Sequence, residues 1–384
     1  MRNLIRIFIV ALQLGLTSFG GPTAHIAYFH EAYVKKRKWL DDESYTQLVA
    51  LAQFLPGPAS SQVGVAIGII RGGVIGGIVA FIGFTLPSAV VLMMCALTLQ
   101  QLSGEALNWL HGLKLVAVAV VAHALVGMTP KLAHTSLLKI IALTAFVAAL
   151  LIDGVLTQLV ILVVAAVMGY FLHKGQLPKQ RMDVQLSKRL GATSLALFCA
   201  LFITLPLLAQ VSSNILMQLF DDLYRTGALV FGGGHVVLPF LQQQFVATGL
   251  LDETTFLAGY SLAQAVPGPL FTFASYIGAA MSGWGGGIIA TLAIFLPGCL
   301  LMIGVLPFWQ SLQQYAAASR AVAGVNAAVV GILGAALYTP IWTTSITAPI
   351  DVAIVVVLFC LLQFWKVSPL LIVVIGFLAG GLSQ

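Results

Sequence analysis

The chain has 384 residues, 60% of them hydrophobic and 8% charged, which leaves too little polar surface for a soluble domain and implies a polytopic membrane protein of helices about 20 residues long. Its net charge of +6 does not point to nucleic acid, because the basic residues sit in short loops between apolar runs, where the positive-inside rule accounts for them. Cys95, Cys199, Cys299 and Cys360 lie inside apolar runs without metal or redox spacing, so neither a metal nor a cofactor is expected.

The first run, MRNLIRIFIVALQLG, is basic and then apolar, like a signal peptide, but no small-residue cleavage pattern follows and it is read as retained. Residues 4 to 18 and 22 to 34 predict two short helical arms, broken at FGGP. After the basic loop KKRK, residues 45 to 55 and 59 to 70 predict two more arms around PGP, each roughly 11 residues or about 17 Å long, half a bilayer. That length suits a re-entrant hairpin. Full spans are expected at 73 to 99, 112 to 128, 137 to 152 and 155 to 172 and, after a basic linker at 173 to 189, at 191 to 210.

The second half repeats this order. FGG, LDD, LAQ and PGP of residues 19 to 58 return as FGG, LDE, LAQ and PGP in residues 231 to 269, and FTLPS (84 to 88) returns as IFLPG (294 to 298). Spans are expected at 284 to 306, 321 to 339, 350 to 364 and 367 to 382. The offset makes residues 1–172 one repeat, 173–212 a linker with a connecting helix, and 213–384 the other repeat. Lys35, Lys36, Arg37 and Lys38 occupy a loop whose second copy, QQQFVATGLLDE, has no basic residue; the two copies are therefore expected to face opposite ways across the bilayer. Threading the chain so leaves every lysine and arginine on the cytoplasmic side except Lys114 and Arg225. The expected fold is an all-α polytopic membrane protein of two inverted-topology repeats, with re-entrant or broken helices at the FGG and PGP motifs.

A break in a membrane helix leaves carbonyls and N–H groups that must face protein or a polar cavity. Proline suits the first position of a new arm. The four breaks are Gly20, Gly21, Pro22; Pro56, Gly57, Pro58; Gly232, Gly233, Gly234; and Pro267, Gly268, Pro269. Each new arm begins with a partial positive charge of about +0.5 e and free donors, which favours an anion. Ser60, Ser61 and Gln62 follow the first PGP, Thr272 and Ser275 the second, and Gln53 and Gln264 precede them. Neutral donors of this kind replace the hydration of a tetrahedral oxyanion and still release it. His25 and His235 flank the FGG breaks and are placed to carry protons, although a histidine in an apolar helix is as readily a neighbour's hydrogen-bond partner. Arg71 either lines a cytoplasmic vestibule or is one more positive-inside residue, and Lys114 either steers anions or snorkels. No His-x-x-x-His, paired carboxylates or cysteine-rich cluster occurs in a span, which argues against an enzyme.

FGGPTAHIAYFH, RKWLDDESY, QFLPGPASSQ and GFTLPS in the first half, with FGGGHVVLPFL, AQAVPGPLFTFASYIGA, AIFLPG, LPFWQ and GVNAAVVGILGAALYTP in the second, resemble the two-domain form of the chromate transporter family over nearly the whole chain. The resemblance implies an inner-membrane protein that exports chromate, confers chromate resistance and is linked to the proton motive force. It leaves open whether sulfate or a related oxyanion is the physiological cargo, whether the protein is a passive anion channel, and its oligomeric state, with a homodimer among the options.

Overall fold

The computed structural model describes residues 2–19, 21–99, 106–152, 155–172, 186–212, 214–231, 234–309 and 316–382, and among these there is no strand. The helices are α1 (Arg2–Thr17), α2 (Gly21–Phe29), α3 (Asp42–Phe54), α4 (Ala59–Leu99), α5 (Ala106–Leu132), α6 (Ser136–Leu151), α7 (Val155–Leu172), α8 (Lys188–Val211), α9 (Ile215–Leu229), α10 (Val237–Leu241), α11 (Glu253–Ala265), α12 (Phe273–Val305), α13 (Ala316–Ala336), α14 (Pro349–Gln363) and α15 (Pro369–Leu382). Among the described residues, five helical stretches are long and apolar enough to cross a membrane: Ala59–Leu99, Leu110–Leu132, Lys188–Val211, Leu270–Phe308 and Ser319–Ser345. Shorter apolar helices run over Ser136–Leu151, Thr157–Leu172, Pro349–Gln363 and Pro369–Gly380. Each expected span falls on one of these. Large apolar side chains such as Leu143, Val163, Ile203 and Val211 stay exposed, as lipid-facing residues do, and the chain is a multi-pass membrane protein.

The chain forms two compact units. The first comprises Met1–Leu97, Pro178–Gly234 and Val266–Tyr315, the second Thr98–Leu177, His235–Ala265 and Ala316–Gln384. In the first unit α4 is two helices merged across a bend. Gly72 (φ −149°, ψ 22°) and Gly73 (φ 64°, ψ −164°) are non-helical, and α12 bends in the same way at Ser282 (φ −147°, ψ 29°) and Gly283 (φ 64°, ψ −158°). The second residue of each bend needs the left-handed region that glycine enters at little cost. The arm 59–71 then folds back along 74–99. A Cβ on Gly68 would meet the Gly76 carbonyl and, at 2.8 Å, the Cβ of Ala80; one on Gly278 would meet the Gly286 carbonyl and, at 2.5 Å, the Cβ of Ala290. The glycine patches at these bends thus permit backbone-to-backbone packing. α1 packs on α4 with Gly15 against the carbonyl of Phe84, and α9 packs on α12 with Gly227 against that of Ile294.

α3 starts where Asp41 accepts the N–H of Ser44 at 2.7 Å, and stops at Leu55, which is extended (φ −83°, ψ 149°), as a residue before proline must be. α2 is followed by a π-helical segment, His30–Lys36, and α10 by another, Gln242–Val246. Each is closed alike, by Trp39 N–H on the Tyr33 carbonyl at 2.8 Å and by Leu251 N–H on the Phe245 carbonyl at 2.8 Å.

The second unit packs α13 against α6 and α7, and α5 against α11, α14 and α15. Here too glycines allow the approach: Gly112 touches Gly376 and Gly380, and Gly169 touches Gly324.

The packing predicts opposite outcomes for two glycine-to-alanine changes. Gly76→Ala forces the arms of α4 apart and lowers the thermal midpoint of detergent-solubilised protein, whereas Gly127→Ala, on a helix side with no atom within 4 Å, leaves it unchanged or raises stability by up to about 1 kcal/mol. Thermal unfolding followed by tryptophan fluorescence checks both.

Candidate functional site

The two PGP turns lie in the first unit, and each is held by residues of the other half of the chain. Gly57 (φ 114°) donates its N–H to the Val230 carbonyl at 2.7 Å; Gly268 (φ 116°) donates to the Ser18 carbonyl at 3.0 Å. Ser18 and Val230 are the residues immediately before the two FGG motifs. The close approaches are reciprocal as well. A Cβ on Gly57 would lie 3.1 Å from Cα of Gly298, and one on Gly268 would lie 2.7 Å from Oγ of Ser88. Ser88 and Gly298 close the FTLPS and IFLPG motifs. Gln62 adds a further tie, donating from Nε2 to the carbonyls of Pro56 at 2.8 Å and Gly298 at 3.2 Å.

Between the two turns, on residues of the first half, lies a buried polar cluster. His25 lies between Ser60 Oγ (3.2 Å from Nδ1) and the Ser18 carbonyl (3.1 Å from Nε2), with its ring edge-on to Phe84. A carbonyl only accepts, so Nε2 carries the hydrogen and Nδ1 of the neutral ring accepts from the Ser60 hydroxyl. Ser88 Oγ donates to the Thr85 carbonyl at 3.1 Å. Ser18, His25, Ser60, Ser61, Gln62, Thr85 and Ser88 are all at most 3% exposed. Four of their atoms nevertheless have no hydrogen-bond partner: Ser18 Oγ, Ser61 Oγ, Gln62 Oε1 and Thr85 Oγ1. Leaving such groups unsatisfied costs about 1–3 kcal/mol each, and native interiors rarely keep several together without a function.

The second half is different. Thr272 donates to the Pro269 carbonyl at 2.6 Å, while Ser275 Oγ and Thr291 Oγ1 lie 2.7 Å apart, so these hydroxyls already have partners. Where the first half has Ser18, Thr85 and Ser88, the second has Val230, Phe295 and Gly298, and the turn is followed by Leu-Phe-Thr-Phe in place of Ala-Ser-Ser-Gln. The rings of Phe271 and Phe295 lie 6.0 Å apart there.

The remaining expected residues are dispersed. Gly21 (φ 75°) and the backbone of Pro22 open α2, and Gly234 begins a 3₁₀ turn. Gly20, Gly232, Gly233 and the side chains of Pro22 and His235 lie outside the described residues. Gln53 is exposed on α3. Gln264 belongs to the second unit, where its buried Nε2 has no partner. The Arg71 guanidinium stands 5.4 Å over the Trp39 ring, and its carbonyl accepts from Asn3. Arg225 pairs with Asp221 at 3.3 Å, and Lys114 donates to the Thr344 carbonyl at 3.2 Å. At the start of the π-helical segment, His30 lies 2.6 Å from Asp42, the exposed first residue of α3, and holds that carboxyl below its ordinary range. Ser18, Thr85 and Ser88 were not among the expected residues; their signal was adjacency to motifs already singled out.

Among characterised proteins the chain is 27% identical to a chromate transport protein of Cupriavidus metallidurans, over 97% of this chain and 90% of that one. It is 28% identical to a chromate transport protein of Pseudomonas aeruginosa, over 98% and 91%, and 26% identical to an uncharacterized transporter of Methanocaldococcus jannaschii, over 97% and 89%. No solved structure matches it. The sequence model of the chromate transporter family matches residues 5–170 and 217–381, stretches that contain both PGP turns and their reciprocal partners, and the chain therefore belongs to that family.

Proposed function

We propose that this chain is a secondary active carrier that exports chromate from the cytoplasm across the inner (plasma) membrane, linked to the proton motive force, and so gives chromate resistance. The observation that carries this reading is the cluster of buried, unpartnered oxygens that the first half places beside the PGP turns, in a chain whose relatives include named chromate transport proteins. Chromate is a tetrahedral dianion. Hydroxyls of Ser18, Ser61 and Thr85 donate to its oxygens, and the free N–H groups that open the arm 59–71 add a partial positive charge. His25 positions Ser60. No lysine or arginine is needed in the cluster, so the anion is solvated without a salt bridge that would hold it too tightly to leave.

The carrier is proposed to work by alternating access of two inverted repeats, 1–172 and 213–384, with the PGP elements as re-entrant hairpins. Support comes from the matched bends at Gly73 and Gly283 and from the exchange of hydrogen bonds between Gly57 and Val230 and between Gly268 and Ser18, which a two-fold relation between halves would generate. The loop charges supply the direction: Lys35 to Lys38 in one copy, no basic residue in the other. Sulfate shares the shape and charge that the cluster would read, and is the competitor to include in any assay.

Three outcomes are expected. In a cysteine-free background, a membrane-impermeant maleimide added outside the cell labels Ala247→Cys and not Lys38→Cys; the reverse pattern overturns the topology. Everted vesicles take up labelled chromate when a proton gradient is imposed, and uptake no greater than in vesicles lacking the protein overturns the function. In the same assay at low chromate, Ser61→Ala and Thr85→Val each reduce uptake roughly tenfold, or about 1.4 kcal/mol, whereas Thr272→Val and Ser275→Ala stay within about twofold because those hydroxyls already have partners.

A further inference from the structure

The second unit holds an ionisable network that the anion cluster does not use. His111, near the start of α5, donates from Nε2 to Oδ1 of Asp351 at 2.9 Å, with the two side chains 10% and 3% exposed. Asp351 is the third residue of α14, and its other oxygen, Oδ2, accepts from Thr347 N–H (2.8 Å), Thr347 Oγ1 (2.9 Å) and Ala348 N–H (2.9 Å). Through these bonds Asp351 caps the start of α14, taking the N–H of the N-cap residue Ala348 and that of Thr347 before it. The cap uses Oδ2 alone and gives no reason for a histidine on Oδ1. One turn along α5, Lys114 donates to the Thr344 carbonyl. Glu253, which opens α11, acts on Lys114 through its charge, hydrogen-bonds the Thr344 side chain and accepts from Gln242 Nε2 at 3.4 Å.

Ionisable residues buried in a membrane protein are costly and mark ion pathways. Among the histidines whose side chains are described, His111 is the one paired with a buried carboxylate. His25 lies between two neutral oxygens, His123 meets the Gln363 amide at 2.8 Å, and His30 meets the exposed carboxylate of Asp42. An imidazolium is compensated at His111 and is not compensated by those neutral partners. The charged groups brought to this end of α5 are Asp351 from α14 and Glu253 from α11, with Lys114 on α5 itself. α11 also carries Tyr260, α15 carries no ionisable residue, and Arg320 of α13 is stacked over Tyr170 at 5.8 Å.

We infer that the His111–Asp351 pair is the proton-binding site through which transport is coupled to the proton gradient. Nε2 keeps its hydrogen on Asp351, and the transported proton adds to and leaves Nδ1. The pair then alternates between net charge −1 and 0, and no electron transfer or co-reactant is involved. This rests on the reading of the chain as a proton-linked carrier.

The test uses the full chain in proteoliposomes, with His111→Gln and Asp351→Asn. Two quantities are measured: exchange of labelled chromate without a gradient, and accumulation driven by an imposed pH gradient. Both variants are expected to keep exchange within about twofold and to lose accumulation at least about tenfold. Accumulation equal to wild type in His111→Gln, which leaves the α14 cap intact, overturns the site. Wild-type exchange that ignores the gradient overturns proton linkage and this site with it, and absence of exchange overturns the chromate reading. A readout independent of transport is nitrogen NMR of histidine-labelled wild-type protein, with His111 assigned by any substitution there that folds. Its ring resonances should respond to a change of pH, and invariance overturns the proposal.

Discussion

A peptide N–H buried in a membrane protein must find an acceptor, and the rest of the first unit follows from how the two PGP turns meet that demand. A turn with proline on both sides of a glycine keeps one N–H, the glycine's own, and in each copy it goes to the residue before the FGG motif of the other copy. Because the acceptors are exchanged, neither half can complete its own turn. The positive φ of Gly57 and Gly268 is the local condition for this exchange, since it orients the N–H across to the other half while proline begins the next arm. Substituting either glycine would strain the backbone and also push it against Gly298 or Ser88.

From this shared scaffold the halves diverge in chemistry. The first half contributes hydroxyls and an amide whose hydrogen-bonding capacity exceeds what the protein uses; the second half contributes phenylalanines and hydroxyls that are already paired. A duplicated element in which one copy retains unmatched polar groups and the other pairs its own hydroxyls fits the proposal that the anion is held by the residues of one copy. The histidine of the polar copy has neutral partners, and the buried histidine with a carboxylate, His111, belongs to the second unit. On the proposed reading, anion recognition and proton binding would fall to different compact units, and coupling would be a property of the whole chain.

Much of this was legible in the sequence, and the parts that were not share a cause. The breaks at Gly21 and Pro56 to Pro58, the arm from Ala59 and the spans that follow are local consequences of proline, glycine and hydropathy, so their positions matched within a few residues. His25, Ser60, Ser61 and Gln62 were found because they flank those breaks. Ser18 and Thr85 were missed because they join the cluster only through folding: Ser18 through the His25 ring and Thr85 through its neighbour Phe84, whose ring packs on His25. His111 and Asp351, 240 residues apart, sit at ordinary helix beginnings and carry no motif. Likewise, each compact unit takes segments from both halves. A repeat is a relation along the chain and a compact unit is a relation in space, and motif spacing encodes only the first.

The central claim is that the unmatched oxygens of the first half hold the transported oxyanion. Anomalous diffraction at the chromium edge from crystals of the protein grown with chromate tests it most directly. The account predicts a peak within hydrogen-bond reach of Ser61 Oγ and Thr85 Oγ1, lost in Ser61→Ala. A peak beside Thr272 and Ser275 instead, or one that survives Ser61→Ala unchanged, would contradict it.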